Sequence, residues 1–318
     1  MARRKLFILI IIILLIISLG IDAFLLISNK KLNDNTTDVN KKYKLINLSQ
    51  NIAIDSNIQS EPKILHFRNL KPLIDETLNN LPTNAKVGFY IQDANTGAWF
   101  GINESEKFIP ASLLKIPIAM AILKKVERGE IQINQKIKII NEDINYLSTG
   151  EEKLKIGDEK TIAELLRLMI QSSDNTAKNA LKRQLSEEEI AAVFYHVGIN
   201  NPYKEGSDEA ITPRQYTRLF KALYFSTFLS PESSEKLLDL ATETRAESLI
   251  AAGIPWEIQV AHKYGERENL LHDCGIIYEP HNPYFLCIMT SGMNYDDAQK
   301  LIINLSSIIY NFISSQGE

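Results

Sequence analysis

A change of hydrophobic periodicity along the chain constrains the fold most. Residues 86–102, KVGFYIQDANTGAWFGI, predict two strands around a DANTG turn. In several segments between residues 112 and 241 the apolar residues recur at helical spacing. Three further strand candidates, IQVAHKYGE, LLHDCGIIYE and YFLCIMTSG, then precede a closing amphipathic helix. Strands at both ends with helices between them predict an α/β fold of the α+β type. We expect one antiparallel sheet, built from both halves of the chain and flanked by helices. An all-helical subdomain would be inserted into it.

The N-terminus predicts a membrane anchor. A basic tip, residues 1–5, precedes an apolar run from Leu6 to Ser28 that only Asp22 interrupts. A helix of about 20 apolar residues spans a bilayer, and the basic tip favours a cytoplasmic N-terminus. We therefore expect a single-pass transmembrane helix over 6–28, with the rest of the chain on the extracytoplasmic side of the cell membrane. The alternative is a cleaved signal peptide, which would also export the remainder.

The rest of the chain divides into a polar stalk and one folded domain. Residues 29–63 are rich in Asn, Lys and Asp and lack sustained periodicity, so we expect a disordered stalk. The domain covers 64–318, with its α/β part in 64–111 and 242–318 and its helical part in 112–241. The 318 residues are 45% hydrophobic and carry a net charge of −4. Because no basic stripe follows the N-terminus, we expect no nucleic-acid partner.

Several residues predict where helices begin and end. Asp174 and Thr212 are in N-cap positions, and Pro213 follows in the first turn. Gly129 stands where a helix that starts at Ser112 would stop.

Cys274 and Cys287 are the only cysteines, and they fall on neighbouring strand candidates. A cross-strand disulfide is one alternative in an exported domain. The sequence favours the other, two small buried hydrophobic residues, because spacing alone does not establish disulfide geometry. Without a nearby His/Cys cluster the pair does not indicate a zinc site.

Three short motifs follow one another in order. They are Ser112-x-x-Lys115, the triplet Ser173-Asp174-Asn175 between two predicted helices, and Lys263-Tyr264-Gly265 on a strand candidate. The first alone carries little information, since Ser-x-x-Lys also occurs at Ser28, Ser60 and Ser233. Their order and spacing make the combination informative.

The residue types suit nucleophilic catalysis. A serine hydroxyl needs a base, and residues at i and i+3 share a helix face. Lys115 lies among Leu113, Leu114 and Ile116, and partial burial would lower its pKa toward that of a base at neutral pH.

By these motifs and their flanking text the domain resembles the class A β-lactamase family of penicillin-recognising serine hydrolases, with a β-lactamase/transpeptidase-like fold. FIPASLLKIPIAMAILKKVERGE and TIAELLRLMIQSSDNTAKNAL are the longest similar stretches. The resemblance covers about residues 64–318. It implies covalent catalysis on a β-lactam or a D-Ala-D-Ala-type peptide, without a metal or an organic cofactor.

The resemblance also implies a role for each motif residue. Ser112 would be the nucleophile, Lys115 its general base and Ser173 a proton relay. The backbone N–H groups of Ser112 and Glu266 would form the oxyanion hole. Substrate binding would fall to a second set of residues: Asn175, Lys263, Tyr264 and Gly265.

Each residue also has an ordinary structural interpretation. Ser112 could open a helix, Lys115 could extend toward solvent, and Lys263 could be an edge-strand charge. For Asp174 the N-cap role is favoured over a catalytic one. His262 and His272 are assigned structural or solvent-facing roles and no part in catalysis.

Two departures from the family pattern bear on function. The E-x-x-L-N loop that supplies the deacylating glutamate is missing, and Glu205, Asp208 and Glu209 in the shortened interval are most simply solvated loop charges. Tyr264 replaces the usual Thr or Ser. The sequence thus predicts a membrane-anchored β-lactamase-type hydrolase. The alternatives are a D,D-carboxypeptidase or transpeptidase with slow deacylation, and a catalytically silent domain that binds peptidoglycan or a partner.

Overall fold

The computed structural model describes residues 43–47, 67–79, 81–146, 152–202, 210–244 and 249–317. The predicted anchor at 6–28 lies outside these residues. Among the helices that are described, none is both long enough and apolar enough to cross a bilayer.

A five-stranded antiparallel sheet forms the centre of the domain. Its strands are β1 (Lys86–Asp93), β2 (Trp99–Ile102), β5 (Val260–Arg267), β6 (Leu270–Ile277) and β7 (Tyr284–Ser291). They lie in the order β2-β1-β7-β6-β5, and β1 pairs antiparallel with β7. The prediction of one sheet built from both ends of the chain is confirmed, and β5 is an edge strand. A separate two-stranded antiparallel sheet of β3 (Lys136–Lys138) and β4 (Glu159–Thr161), which was not predicted, lies within the predicted helical part.

Helices cover both faces of the sheet. They are α1 (Leu70–Leu78), α2 (Lys115–Glu127), α3 (Ile162–Gln171), α4 (Asn175–Lys182), α5 (Glu187–His196), α6 (Pro213–Tyr224), α7 (Pro231–Thr242) and α8 (Tyr295–Gly317). A hydrophobic core lies on each face of the sheet, and side chains of β7 point alternately into the two. Leu286 and Ile288 pack with α1 and α8 on one face, whereas Phe285 and Met289 pack with helices α2 to α7 on the other.

The predicted caps and turns account for several element ends. The side chains of Asp174 and Thr212 accept hydrogen bonds at the starts of α4 and α6. Gly129 follows α2 with φ +72°, and the DANTG turn joins β1 to β2 with the carboxylate of Asp93 accepting the N–H of Asn95 and Thr96. The helix predicted from Ser112 instead starts at Lys115, because residues 111–114 form a 3₁₀ turn. Helix α5 was not predicted.

Part of the predicted stalk is docked on the domain. Leu45 and Ile46 are 3% and 6% exposed and join the core beside the helices. The Glu235 carboxylate accepts the backbone N–H groups of Lys44 and Leu45 at 2.7 and 2.8 Å. The Tyr278 hydroxyl donates to the Leu45 carbonyl at 2.9 Å. The prediction of a disordered stalk is therefore wrong for residues 43–47, where two apolar side chains find a buried site.

The two cysteines form a disulfide. Cys274 on β6 and Cys287 on β7 are direct cross-strand partners, both fully buried, and their sulfur atoms are bonded. The favoured interpretation, two unbonded core residues, was right about burial and wrong about bonding. The disulfide forms because the register of β6 and β7 makes the two cysteines direct antiparallel partners, whose Cβ atoms are close enough for a bridge.

Candidate active site

The nucleophile candidate lies on a tight turn before α2. Residues 111–114 form the 3₁₀ turn, in which the Leu113 N–H donates to the Pro110 carbonyl at 3.0 Å. Ala111 has a positive φ of 49°, a strained conformation for an L-residue. The buried Tyr216 hydroxyl donates to the Leu113 carbonyl at 2.8 Å. These contacts fix the turn that carries Ser112.

Edge strand β5 runs against this turn. A Cβ atom on Gly265 would lie 2.8 Å from the Pro110 carbonyl oxygen and 3.1 Å from Leu113 Cγ. Only a glycine therefore allows this approach. The contact places the backbone on either side of Gly265 beside Ser112, and Glu266, the predicted oxyanion-hole residue, is the next residue along the strand.

Lys115 meets both serines of the motifs. Its side chain is 1% exposed. Its Nζ lies 2.9 Å from Ser112 Oγ, 2.9 Å from Ser173 Oγ and 2.5 Å from the Ser173 carbonyl oxygen. Burial and then the charge of Lys263 lower the pKa of Lys115 to about 6. The surface-lysine interpretation is wrong, because the side chain is enclosed.

Ser173 lies in the short connection between α3 and α4. Its φ is +53°, which directs the side chain toward Lys115 at a conformational cost. The next residue, Asp174, caps α4 by accepting the Ala177 N–H at 2.6 Å, so the cap fixes the connection.

Lys263 reaches the same serine from the sheet. Its side chain is 0% exposed, so it is not an edge-strand surface charge. Its Nζ donates to Ser173 Oγ and to the Tyr264 carbonyl, both at 3.1 Å. Burial lowers the pKa of Lys263 to about 7, although the charge of Asp273 opposes this shift.

The remaining predicted residues are placed around this centre. The Tyr264 ring centroid lies 4.1 Å from Lys263 Nζ, and burial raises the pKa of the Tyr264 hydroxyl. Asn175 is the half-buried first residue of α4, and the Glu266 side chain is exposed. Glu205, Asp208 and Glu209 lie outside the described residues.

Two buried histidines support the strands beneath the site. The Nδ1–H of His262 faces the Asp273 carboxylate at 2.8 Å, and its Nε2 lies 2.8 Å from the Thr244 hydroxyl. His272 accepts the Thr290 N–H at Nδ1 and lies 2.9 Å from the Ile109 carbonyl through Nε2. His272 therefore ties the segment before Ser112 to the sheet. Of the two roles expected for these histidines, structural or solvent-facing, the structure supports the structural one, because both rings are buried.

This arrangement can perform nucleophilic catalysis. A buried lysine with a lowered pKa contacts the candidate nucleophile, and a second serine bridges it to another lysine. A serine activated by an adjacent base is the general requirement for covalent acyl transfer.

Comparison with known proteins agrees with this geometry. The family model described as the β-lactamase enzyme family matches residues 70–313. The chain is 28% identical over 290 residues to β-lactamase BRO-1 of Moraxella catarrhalis, covering 84% of this chain and 91% of that protein. A β-lactamase of Bacillus licheniformis is 25% identical over 260 residues, with 74% and 81% covered.

Solved structures show the same fold. The structure of PBP-A has a TM-score of 0.71 at 25% identity and covers 78% of this chain and 97% of that one. A variant of the last common ancestor of Gram-negative class A β-lactamases has a TM-score of 0.69 at 25% identity, with 78% and 99% covered. The predicted class A resemblance and the predicted serine-hydrolase type of enzyme are confirmed at this level. The chain belongs to the β-lactamase enzyme family.

Proposed function

We propose that this chain opens β-lactam rings through an acyl-enzyme on Ser112. The observation that carries the proposal is the position of Lys115 Nζ, 2.9 Å from both Ser112 Oγ and Ser173 Oγ. A lysine whose pKa is lowered to about 6 is mostly neutral at pH 7 and can accept a proton.

The acylation step follows from these contacts. Neutral Lys115 takes the proton from Ser112 as Oγ attacks the lactam carbonyl carbon, and a C–O bond forms. The backbone N–H groups of Ser112 and Glu266 stabilise the oxyanion. The C–N bond then breaks, and the proton passes from Lys115 through the Ser173 hydroxyl to the leaving nitrogen. Asn175 binds the amide side chain of the substrate, while Tyr264 and Gly265 on β5 form the opposite wall, beside Lys263.

Release of the acyl group is the slower part of the proposed cycle. Water must attack the ester carbonyl, and the sequence lacks the E-x-x-L-N loop that supplies a base for it in class A enzymes. A second structure of PBP-A, that of a single-residue mutant, is described as an acyl-enzyme complex with penicillin G. That description supports β-lactam acylation on this fold.

The missing loop motif favours a second candidate, a D,D-carboxypeptidase or transpeptidase that performs the same acylation on D-Ala-D-Ala-type peptides. The third alternative, a silent binding domain, is disfavoured because binding alone does not need Lys115 enclosed between two serines.

We further propose that the domain acts outside the cytoplasm, held at the membrane by residues 6–28. The apolar N-terminal run supports this location. The Cys274–Cys287 disulfide supports it independently, because disulfides persist in oxidising compartments.

Covalent labelling of the full-length chain by a fluorescent penicillin tests the proposal. Label that appears and then disappears within minutes supports β-lactamase turnover. Label that persists for hours supports the peptidase candidate. Absence of label on the folded wild-type chain would contradict both enzymatic functions.

A further inference from the structure

The ammonium group of Lys263 is closed off from the site it borders. The side chain has no exposed surface, and its Nζ donates to Ser173 Oγ and to the Tyr264 carbonyl. The Tyr264 ring covers it further, with the ring centroid 4.1 Å from Nζ, a cation–π distance. The family resemblance expects this ammonium to attract a substrate carboxylate, and here an aromatic ring lies over it.

The Lys263 ammonium is also engaged by Ser173. Lys115 and Lys263 both donate to Ser173 Oγ, at 2.9 and 3.1 Å. A serine hydroxyl has two lone pairs, so the two lysines occupy both. Lys263 is therefore bonded to Ser173 and covered by the Tyr264 ring.

The charges around Tyr264 are unfavourable for an anion. Glu266 is two residues away on β5, and Asp273 is the direct partner of Tyr264 on β6. Burial, followed by the charge of Glu266 and, more weakly, that of Asp273, raises the pKa of Tyr264. A substrate carboxylate at this position would be repelled by these two carboxylates, and the Lys263 ammonium that could attract it is covered by the ring. Arg267, exposed at the end of β5, is a cation farther along the strand.

We propose that Tyr264 closes the carboxylate position on Lys263, so that the favoured substrates are acyl donors without a charge there, neutral amides or esters. The inference rests on the proposed acylation of Ser112 and narrows its substrate class. Tyr264 then determines specificity, and Lys263 acts through Ser173 instead of contacting the substrate.

Penicillin G and its methyl ester differ only in this carboxylate, and they give a direct test. Their second-order acylation rate constants can be measured on the full-length chain by competition with a fluorescent penicillin. We expect an acid-to-ester ratio within about threefold for the wild type. In Tyr264→Thr the ratio should rise at least tenfold, because a charge-assisted hydrogen bond to the uncovered lysine contributes about that factor.

Tyr264→Phe is the matched control, since it keeps a ring over Lys263 and removes only the hydroxyl; its ratio should stay as in the wild type. If the threonine variant does not fold, the wild-type ratio alone keeps the test decisive. A wild-type ratio above about tenfold, or an unchanged ratio in a folded Tyr264→Thr, would overturn the proposal. If the wild-type acid-to-ester ratio is high and falls in Arg267→Ala, the substrate carboxylate is bound by Arg267, and the proposal is likewise overturned. If neither penicillin G nor its methyl ester acylates the chain, the proposed function, acylation of Ser112 by β-lactams, is itself contradicted.

Discussion

Lys115 is buried, and the neighbouring charge that shifts its pKa most is that of another cation, Lys263. Burial and Lys263 lower its pKa to about 6, while Asp174 opposes the shift. The base form therefore grows as pH rises through about 6. We expect the rate of Ser112 acylation to rise between pH 5 and 7 and to level off above pH 7.5, as measured by label incorporation against pH.

Lys115→Arg is the control for this pH profile. A guanidinium stays protonated throughout this range, so the variant should acylate at least 10²-fold more slowly above pH 7, in line with the usual contribution of general-base catalysis. Its rate should not rise between pH 5 and 7. A wild-type profile still rising near pH 9 would show that Lys115 keeps an ordinary pKa and is not the base.

At the residue scale, the sequence predicted which residues form the catalytic site but not the conformations that they adopt. Ser112, Lys115, Ser173 and Lys263 could be predicted as a group because motif order constrains them strongly. The positive φ of Ser173 and the ring of Tyr264 over Lys263 could not, because both depend on contacts between segments far apart in the chain.

At the scale of elements, the approach of β5 to the nucleophile turn depends on Gly265. In Gly265→Ala the added Cβ would lie 2.8 Å from the Pro110 oxygen, so the strand must move away. We expect acylation to fall about 10²-fold, since displacements near 1 Å can have that effect. The labelling rate measures this.

Gly129→Ala is the matched control for Gly265→Ala. Gly129 has φ +72°, and no atom lies within 4 Å of the position that a Cβ would take, so the change strains the backbone without touching the site. It should lower stability by about 1 kcal/mol and leave labelling unchanged. Equal labelling by the two variants would show that the β5 contact does not position the site.

The docked segment 43–47 makes a separate prediction. Replacing Leu45 and Ile46 together by alanine should lower the free energy of unfolding by about 2–4 kcal/mol, because both side chains are buried. Denaturant unfolding of the full chain measures the loss. Leu73→Ala, at a residue 47% exposed on α1, is the control and should change little. Equal stability of all three chains would show that the segment is not docked in solution.

Element boundaries followed local signals where those signals exist. The caps at Asp174 and Thr212 placed α4 and α6 to within a residue or two. Helix α2 begins later than predicted, because the tertiary contacts of Pro110 and Leu113 impose a 3₁₀ turn that helical periodicity does not reveal. The docking of Leu45 was hidden by the polar residues around it.

For the whole molecule, the disulfide joins the two central strands β6 and β7. Its cysteines are 13 residues apart, and closing a loop of that size contributes about 3 kcal/mol. We expect a reductant to lower the melting temperature of the wild-type chain by several degrees. A Cys274→Ala/Cys287→Ala chain should already melt lower and should not respond to reductant. An equal response of both chains would show that no disulfide forms.

The architecture as a whole could be predicted because periodicity reports which residues face a core. Strand patterns at both ends of the domain predicted one sheet built from both, and β1 pairs with β7 in the structure. The bridge could not be predicted, because a one-residue change of register would turn Cys274 away from Cys287.

The central claim is that Ser112 carries the acyl group. Intact-mass spectrometry of the full-length chain after exposure to penicillin G, followed by peptide mapping, tests it most directly. We predict one added penicilloyl group, found on the peptide that contains Ser112 and absent from folded Ser112→Ala. No added mass on the wild-type chain, or the same added mass on Ser112→Ala, would contradict it.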